Sequence, residues 1–214
     1  MVLMAAFASC KKDSSKSDDP ADGASVITIE GNYSNKIATI RALAPVYYDD
    51  GDYEYSHVIA SGKYANGGFK LILPETISEE CLRGFTDKFD DFDGTISDPQ
   101  AKTGDIMIFS YDSKEGRIGR FSYMMDRNND EEHGGAFYMY ADRDFTIKGH
   151  NTYYDDDYGY TSYCDEYDCS FTKGWNIMYG IANGYYEASY TTQKPPDVNF
   201  KWSYWDYDIV YGYE

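Results

Sequence analysis

From residue 25 onward, apolar and polar residues alternate in short runs broken by turn-forming residues, and hardly any window repeats every three or four positions. The pattern predicts strand after strand. Val26 to Ile29 and Ile37 to Leu43 open the series, and the second run leads through Pro45 toward Asp50-Gly51. Asp-Gly favours a two-residue hairpin because glycine reaches positive φ without a steric penalty. The run Glu54 to Tyr64 ends at a second such signal, Asn66-Gly67. A two-residue turn there sets Tyr64 opposite Phe69, Gly62 opposite Leu71 and Ala60 opposite Leu73, which places Phe69, Leu71 and Leu73 on one candidate core face.

Residues 84–104 interrupt the rhythm with Asp87, Asp90, Asp91, Asp93 and Asp98 among Gly and Pro, so a long crossover loop or a subdivision near 84–102 is expected. Strand signals return at Ile106 to Tyr111, Arg117 to Met125, Phe137 to Tyr140 and Phe145 to Lys148, with a polar loop over 126–134. The tract from Tyr153 to Cys169 is crowded with Tyr and Asp and reads as a loop. Around Asn183-Gly184 a two-residue turn pairs Trp175 with Thr192, Ile177 with Tyr190, Tyr179 with Ala188 and Ile181 with Tyr186. That register buries these residues and leaves Met178, Tyr185 and Glu187 on the exposed face. A last strand covers Phe200 to Trp205. The expected fold is all-β, an antiparallel Greek-key sandwich of about ten or eleven strands.

Composition narrows the partners. The 214 residues hold 24 Tyr, 11 Phe and 3 Trp, and 37 acidic side chains against 19 basic ones give a net charge of −18. Nucleic acid is excluded on this balance, because binding a phosphate backbone means replacing its counterions with Lys and Arg. An electrostatic hold on anionic lipid is disfavoured for the same reason. Wholesale disorder does not fit so aromatic a chain.

Before residue 25 the pattern is different. Met1 to Ser9 is an apolar run too short to span a bilayer; it ends in small residues before Cys10, and the hydrophilic Lys11-Lys12-Asp13-Ser14-Ser15 follows. Phe7-Ala8-Ser9-Cys10-Lys11-Lys12-Asp13 resembles the lipobox of bacterial lipoproteins, in particular those of the Bacteroidota. Phe7 stands where such motifs most often carry Leu. No basic segment precedes the apolar run, so the start of the signal is expected upstream. The resemblance implies that residues 1–9 are a signal remnant, that Cys10 is the lipidated residue, and that 10–24 tether a domain of 25–214 to the outer membrane, on its periplasmic or outer face. Thr172-Lys173-Gly174-Trp175-Asn176 and Tyr190-Thr191-Thr192-Gln193-Lys194-Pro195 are similar to the C-terminal part of small lipoproteins of the same group. The first strands, with Gly67-Gly68-Phe69 and a strand ending at Leu73-Pro74, resemble a transthyretin-like sandwich. Neither likeness carries catalytic residues to transfer.

Candidate chemistry is sparse. Beyond Cys10, three cysteines remain, and Cys164 and Cys169, close together in the acidic tract, are the expected disulfide, with Cys81 left over. Zinc finds no support in spacing, since His57, His133 and His150 stand at no ligand interval from a Cys. Asp91-Phe92-Asp93-Gly94 imitates the middle of a calcium loop, but Phe89 and Gln100 occupy its terminal ligand positions. Asp155, Asp156, Asp157, Asp165 and Asp168 could enclose a calcium ion if their loop folds back. Glu54 and Glu187 are the strand-borne carboxylates for a small glycosidase, and no nucleophile elbow or phosphate loop is present. The aromatic excess points to binding, with Trp202, Trp205, Tyr185 and Tyr207 as candidate contacts. The expected protein is a non-enzymatic, lipid-anchored envelope protein holding a carbohydrate or protein partner; the alternatives are a subunit of a surface appendage and a small glycosidase.

Overall fold

The computed structural model describes residues 25–48, 52–89, 91–126, 132–155, 161–184 and 187–207. The structure is all-β, as the alternation predicts. Its strands are β1 (Val26–Glu30), β2 (Thr39–Tyr47), β3 (Tyr53–Lys63), β4 (Gly68–Ile72), β5 (Arg83–Gly84), β6 (Asp91–Ile96), β7 (Lys102–Asp105), β8 (Met107–Tyr111), β9 (Arg117–Met125), β10 (Glu132–Ala141), β11 (Phe145–Asp155), β12 (Thr161–Phe171), β13 (Gly174–Asn183), β14 (Glu187–Thr191) and β15 (Phe200–Asp206). Short 3-10 turns at Glu79–Cys81 and Phe85–Lys88 flank β5. Among the described residues no helix is long and apolar enough to cross a membrane.

Two sheets form. A 13-stranded sheet runs β3-β2-β8-β9-β10-β13-β14-β12-β11-β6, with β15 on β9 and β5 and β7 attached through β10; β1 and β4 make a separate two-stranded sheet. The small sheet lies against one face of the large one. Ile27, Ile29, Phe69 and Leu71 from β1 and β4 pack with Ile40, Ala42, Ile108, Phe121 and Tyr138 of the large sheet. The Trp175 indole donates to the Pro74 carbonyl at 2.7 Å, tying the end of the small sheet to β13. A second core fills the opposite face, where Phe85, Met139, Ala141, Phe145, Ile147, Cys169, Phe171 and Met178 meet.

β10 and β13 therefore separate two cores. Tyr138 and Ile177 face the small sheet, while Met139 and Met178 face the second core. The single buried side expected for the Trp175 strand is corrected accordingly: Met178, expected on the exposed face, is buried.

The Asn66-Gly67 turn forms with positive φ at both residues, 54° and 75°, and Ala65 bridges Gly68. Both signs match a type I′ turn. Beyond that bridge the strands part, because β4 takes β1 as its partner instead of β3. Phe69, Leu71 and Leu73 are buried together as expected. The Asp50-Gly51 turn lies outside the described residues, though Tyr48 and Asp52 bond across its base at 2.9 Å.

Three sequence expectations are corrected. The Asn183-Gly184 hairpin has another register: Tyr179 faces Thr191 rather than Ala188, a displacement of three residues, which moves Tyr190 opposite Gly180. An odd displacement turns the second strand over, so Tyr190 leaves the Ile177 face. The described residues of the tract Tyr153 to Cys169 are strand rather than loop: 153–155 end β11 and 161–169 make most of β12, and β12 pairs with β14 in parallel where the other described pairs are antiparallel. Its Glu166, Asp168 and Ser170 stay exposed while Cys169 and Phe171 are buried, so the acidic side chains remain hydrated on a paired strand. Likewise Asp91 to Ile96, expected within an irregular crossover, pairs with β11 as β6.

Candidate functional site

The stretches of β2 and β3 at Tyr47 and Tyr53 to Tyr55 lie opposite the second face of β10, β13, β14 and β12. Between them lies a cleft of about 370 Å³. Tyr47, Tyr53 and Tyr55 line its hairpin side, Phe137, Tyr167 and Tyr190 line its sheet side, and Arg83 and Asp105 supply charge. An adjoining cavity of about 370 Å³ shares Phe137 and Tyr190 and is floored by Gly134, Gly135, Gly180, Ala182 and Ala188. Each volume lies within the range of small-ligand pockets.

Sequence explains this local construction. Pro45 can sit in β2 because the β8 ladder ends at Leu43, leaving that stretch of β2 on the rim with no donor missed on that side. The sheet side is shaped by glycine. A Cβ on Gly180 would stand 2.8 Å from the Tyr190 ring and 3.3 Å from Phe137, so both rings lie over β13 only because that position has no side chain.

The hairpin aromatics form a chain of contacts, Tyr47 with Tyr53 at 5.9 Å, Tyr53 with Tyr55 at 5.8 Å and Tyr55 with Phe109 at 6.5 Å. The Tyr55 hydroxyl donates to the Asp105 carboxylate. The Arg83 guanidinium lies over the Tyr47 ring at 5.5 Å. Burial, reinforced by the Asp105 carboxylate, pushes the Tyr47 hydroxyl up to about 12 and raises Tyr55 further still. Both hydroxyls therefore stay protonated at physiological pH. The cleft combines flat apolar rings with fixed donors and one acceptor, which suits a neutral, polar, ring-shaped ligand.

The predicted contacts lie elsewhere. Trp202 is half-buried, 4.9 Å from Tyr123 and stacked on Tyr138 at 6.3 Å, and lines the adjoining cavity rather than the cleft. Trp205 is exposed on β15 beside Arg120. Tyr207 packs against Leu43, Phe109 and Tyr111. Tyr185 and Cys10 lie outside the described residues. The cleft aromatics were missed because they come from hairpin and strand positions distant in sequence; the Tyr excess was the only signal for them.

The expected disulfide is corrected. Cys81, Cys164 and Cys169 are all free thiols. Cys164 and Cys169 stand five residues apart on one strand and so point to opposite faces; Cys169 is buried and donates from Sγ to the Tyr190 carbonyl at 3.3 Å. A disulfide needs Cα atoms within about 7 Å, and five residues of strand span about 16 Å. Of the acidic residues expected to enclose calcium, Asp165 and Asp168 stand three residues apart on β12 and so face opposite sides. Asp165 is half-buried, and burial raises its carboxyl. Asp168 is exposed on the other face, 3.7 Å from Lys148. Asp155 ends β11 opposite Thr161, and Asp156 and Asp157 lie outside the described residues. Glu54 and Glu187 are exposed and neither lines the cleft; Glu54 accepts from the Tyr48 hydroxyl at 3.4 Å.

Where β3 meets the Glu79–Cys81 turn, one ligand atom from each of His57, Glu80 and Cys81 falls within 4.8 Å of the other two. His57 Nδ1 lies 3.0 Å from Glu80 Oε1. Burial first, then the Glu80 carboxylate, pushes the Cys81 thiol up to about 11. This constellation escaped the sequence reading because His57 is far from Glu80-Cys81 along the chain and no regular spacing joins them. No known protein family, curated protein or solved structure matches the chain.

Proposed function

We propose that this is a non-enzymatic, lipid-anchored cell-envelope protein that binds a carbohydrate in the cleft between the β2–β3 hairpin and the β10-β13-β14-β12 face. The observation that carries the reading is the pairing of aromatic walls with fixed polar groups. Tyr53 is exposed and offers a ring face, while the mutually stacked Tyr167 and Tyr190 complete the aromatic wall; the negative quadrupole of such a face attracts the partly positive C–H face of a sugar ring. Arg83, Asp105 and the protonated Tyr hydroxyls suit the hydroxyls at its edge. The anchor rests on the lipobox resemblance at Cys10, which the hydrophilic stretch before residue 25 supports as a tether.

A glycan array probed with the full chain tests the ligand class. Retention of a defined glycan, weakened at least tenfold by Tyr53→Ala and by Tyr167→Ala, is the expected result. Retention of none, or equal retention by both variants, overturns it. Cys10→Ala releases the protein from the membrane fraction if the anchor is as proposed; continued fractionation with membranes and no acyl mass on the native chain rejects it.

A further inference from the structure

We infer that His57, Glu80 and Cys81 form a mononuclear site for a zinc-class divalent metal, with three protein ligands and a fourth position open to solvent. Three different ligating groups converge within 4.8 Å. A soft thiolate and a borderline imidazole outnumber the one hard carboxylate, which favours zinc, cobalt or copper over calcium or magnesium. The burial is graded as an open site requires. Cys81 is fully buried, whereas the side chains of His57 and Glu80 keep 35% and 56% of their exposure. Metal enters from the His57–Glu80 side, and the thiol proton leaves to solvent as the Cys81 sulfur takes the ion.

The backbone supplies an independent reason to look here. β3 carries an extra residue on each side of His57, because Pro45 pairs with Tyr55 while Ala44 pairs with His57, and Leu43 pairs with Val58 while Ala42 pairs with Ala60. Two bulges within six residues re-aim the side chains between them; β3 is the edge strand of the sheet, and bulges concentrate both at edges and next to functional sites. The opposing ligands are fixed by the 3-10 turn, in which the Cys81 N–H donates to the Ser78 carbonyl at 3.0 Å. A Cβ on Gly104 would stand 2.4 Å from the Cys81 carbonyl, so β7 backs the turn closely. Two residues beyond Cys81, Arg83 enters the sugar cleft, so the metal centre borders that cleft without sharing a residue with it.

Cobalt(II) added to the full chain, reduced and freed of metal by a chelator, tests the site, because a cobalt–thiolate bond gives a near-ultraviolet charge-transfer band that nitrogen and oxygen ligands do not. Expected is one ion per chain, retained in excess calcium and magnesium and displaced by zinc. Cys81→Ala abolishes the band. His57→Ala weakens zinc binding by more than the roughly 10- to 100-fold that changes outside the ligand shell cost, and Cys164→Ser leaves both unchanged. His57 is half-exposed, so its variant tests the site even if Cys81→Ala fails to fold. Absence of the band, its persistence in Cys81→Ala, its loss in Cys164→Ser, or unchanged zinc affinity in His57→Ala overturns the inference. Each readout is independent of glycan binding, so failure here is distinct from failure of the cleft reading.

Discussion

Tyr167 and Tyr190 stand level on the parallel pair β12 and β14, their ring centroids 5.0 Å apart and their planes inclined by 14°. This stack is the sheet-side wall of the cleft, and it exists only because β14 is turned over relative to a two-residue hairpin. Gly180 lies directly opposite Tyr190. A Gly180→Ala substitution drives a methyl group into the Tyr190 ring. Stability is expected to fall by about 1–3 kcal/mol, the usual cost of overpacking, and binding in the cleft to weaken with it. Denaturant titration reads the first effect; an unchanged midpoint would show that the ring does not lie over β13.

The three described thiols differ in access. Cys81 and Cys169 are buried and their thiols pushed up to about 11 and about 12, chiefly by burial, while Cys164 is half-exposed and raised less, by burial and then by Glu166 and Glu187. Alkylation requires the thiolate. In the native, chelator-treated protein Cys164 is therefore modified first, and every rate rises with pH. Peptide mapping checks the order, and a Cys164–Cys169 disulfide in non-reduced protein would contradict the strand geometry.

Alkaline pH is expected to unfold the protein before moderate acid does. The raised groups Tyr47, Tyr138 and Cys169 favour their neutral forms in the fold, with Tyr47 and Cys169 at about 12. Their contribution is complete below the ordinary values of 9.0 for Cys and 10.0 for Tyr and is lost as pH climbs toward 12. Thermal melts across that window should show a steady fall in Tm above pH 9; a flat profile would mean that these groups are solvated in the fold.

Asp142 gives the opposite dependence. Burial alone would raise its carboxyl, but the Arg143 guanidinium at 2.9 Å and the Lys102 backbone N–H at 2.8 Å outweigh that and hold it below the usual carboxylate range. Its contribution is present above the ordinary value and disappears as pH falls through the lowered one. Asp142→Asn is expected to cost about 1.5–3 kcal/mol at neutral pH, the usual worth of hydrogen bonds to a charged group, and to flatten the acid limb of the stability profile.

Truncation tests whether the two cores unfold together. Ile29 and Ile147 are both 1% exposed, one in each core. Ile29→Ala and Ile147→Ala should each cost about 2–5 kcal/mol, with a single unfolding transition in both, because β10 and β13 belong to both cores. Glu187→Gln, on an exposed side chain, should be close to neutral. Two separated transitions in either core variant would divide the protein into independent units.

Much of the fold was legible as period-two alternation. β9 falls on its predicted residues, β1 runs one residue past Ile29, and Asn66-Gly67 makes the turn its chemistry demands, because local steric preference decides these. What was lost depends on distant pairing. β12 alternates correctly from Tyr167 to Phe171, but its Asp and Glu content read as loop, since a carboxylate on the hydrated side of a strand looks the same in sequence as one in a turn. The Asn183-Gly184 signal was real, with Gly184 at φ 86°, yet β14 starts only at Glu187, and the longer connection shifted every pair. The cleft was visible only as an excess of Tyr, and the His57-Glu80-Cys81 cluster not at all, because each is assembled from segments that meet through the sheet.

β14 also sets how far disruption can spread. It has five residues, yet among the described residues it is the strand that links β13 to β12 in the strand order, and through β12 to β11 and β6. Amides on β12 facing this seam are thus expected to exchange with solvent only when β14 lifts, and to do so together. A proline at Ser189, which pairs with Ile181 on one side and Glu166 on the other, would remove a donor from the seam. It would let β6, β11 and β12 open as a flap while β8, β9 and β10 stay closed, turning one cooperative sheet into a latch and its frame.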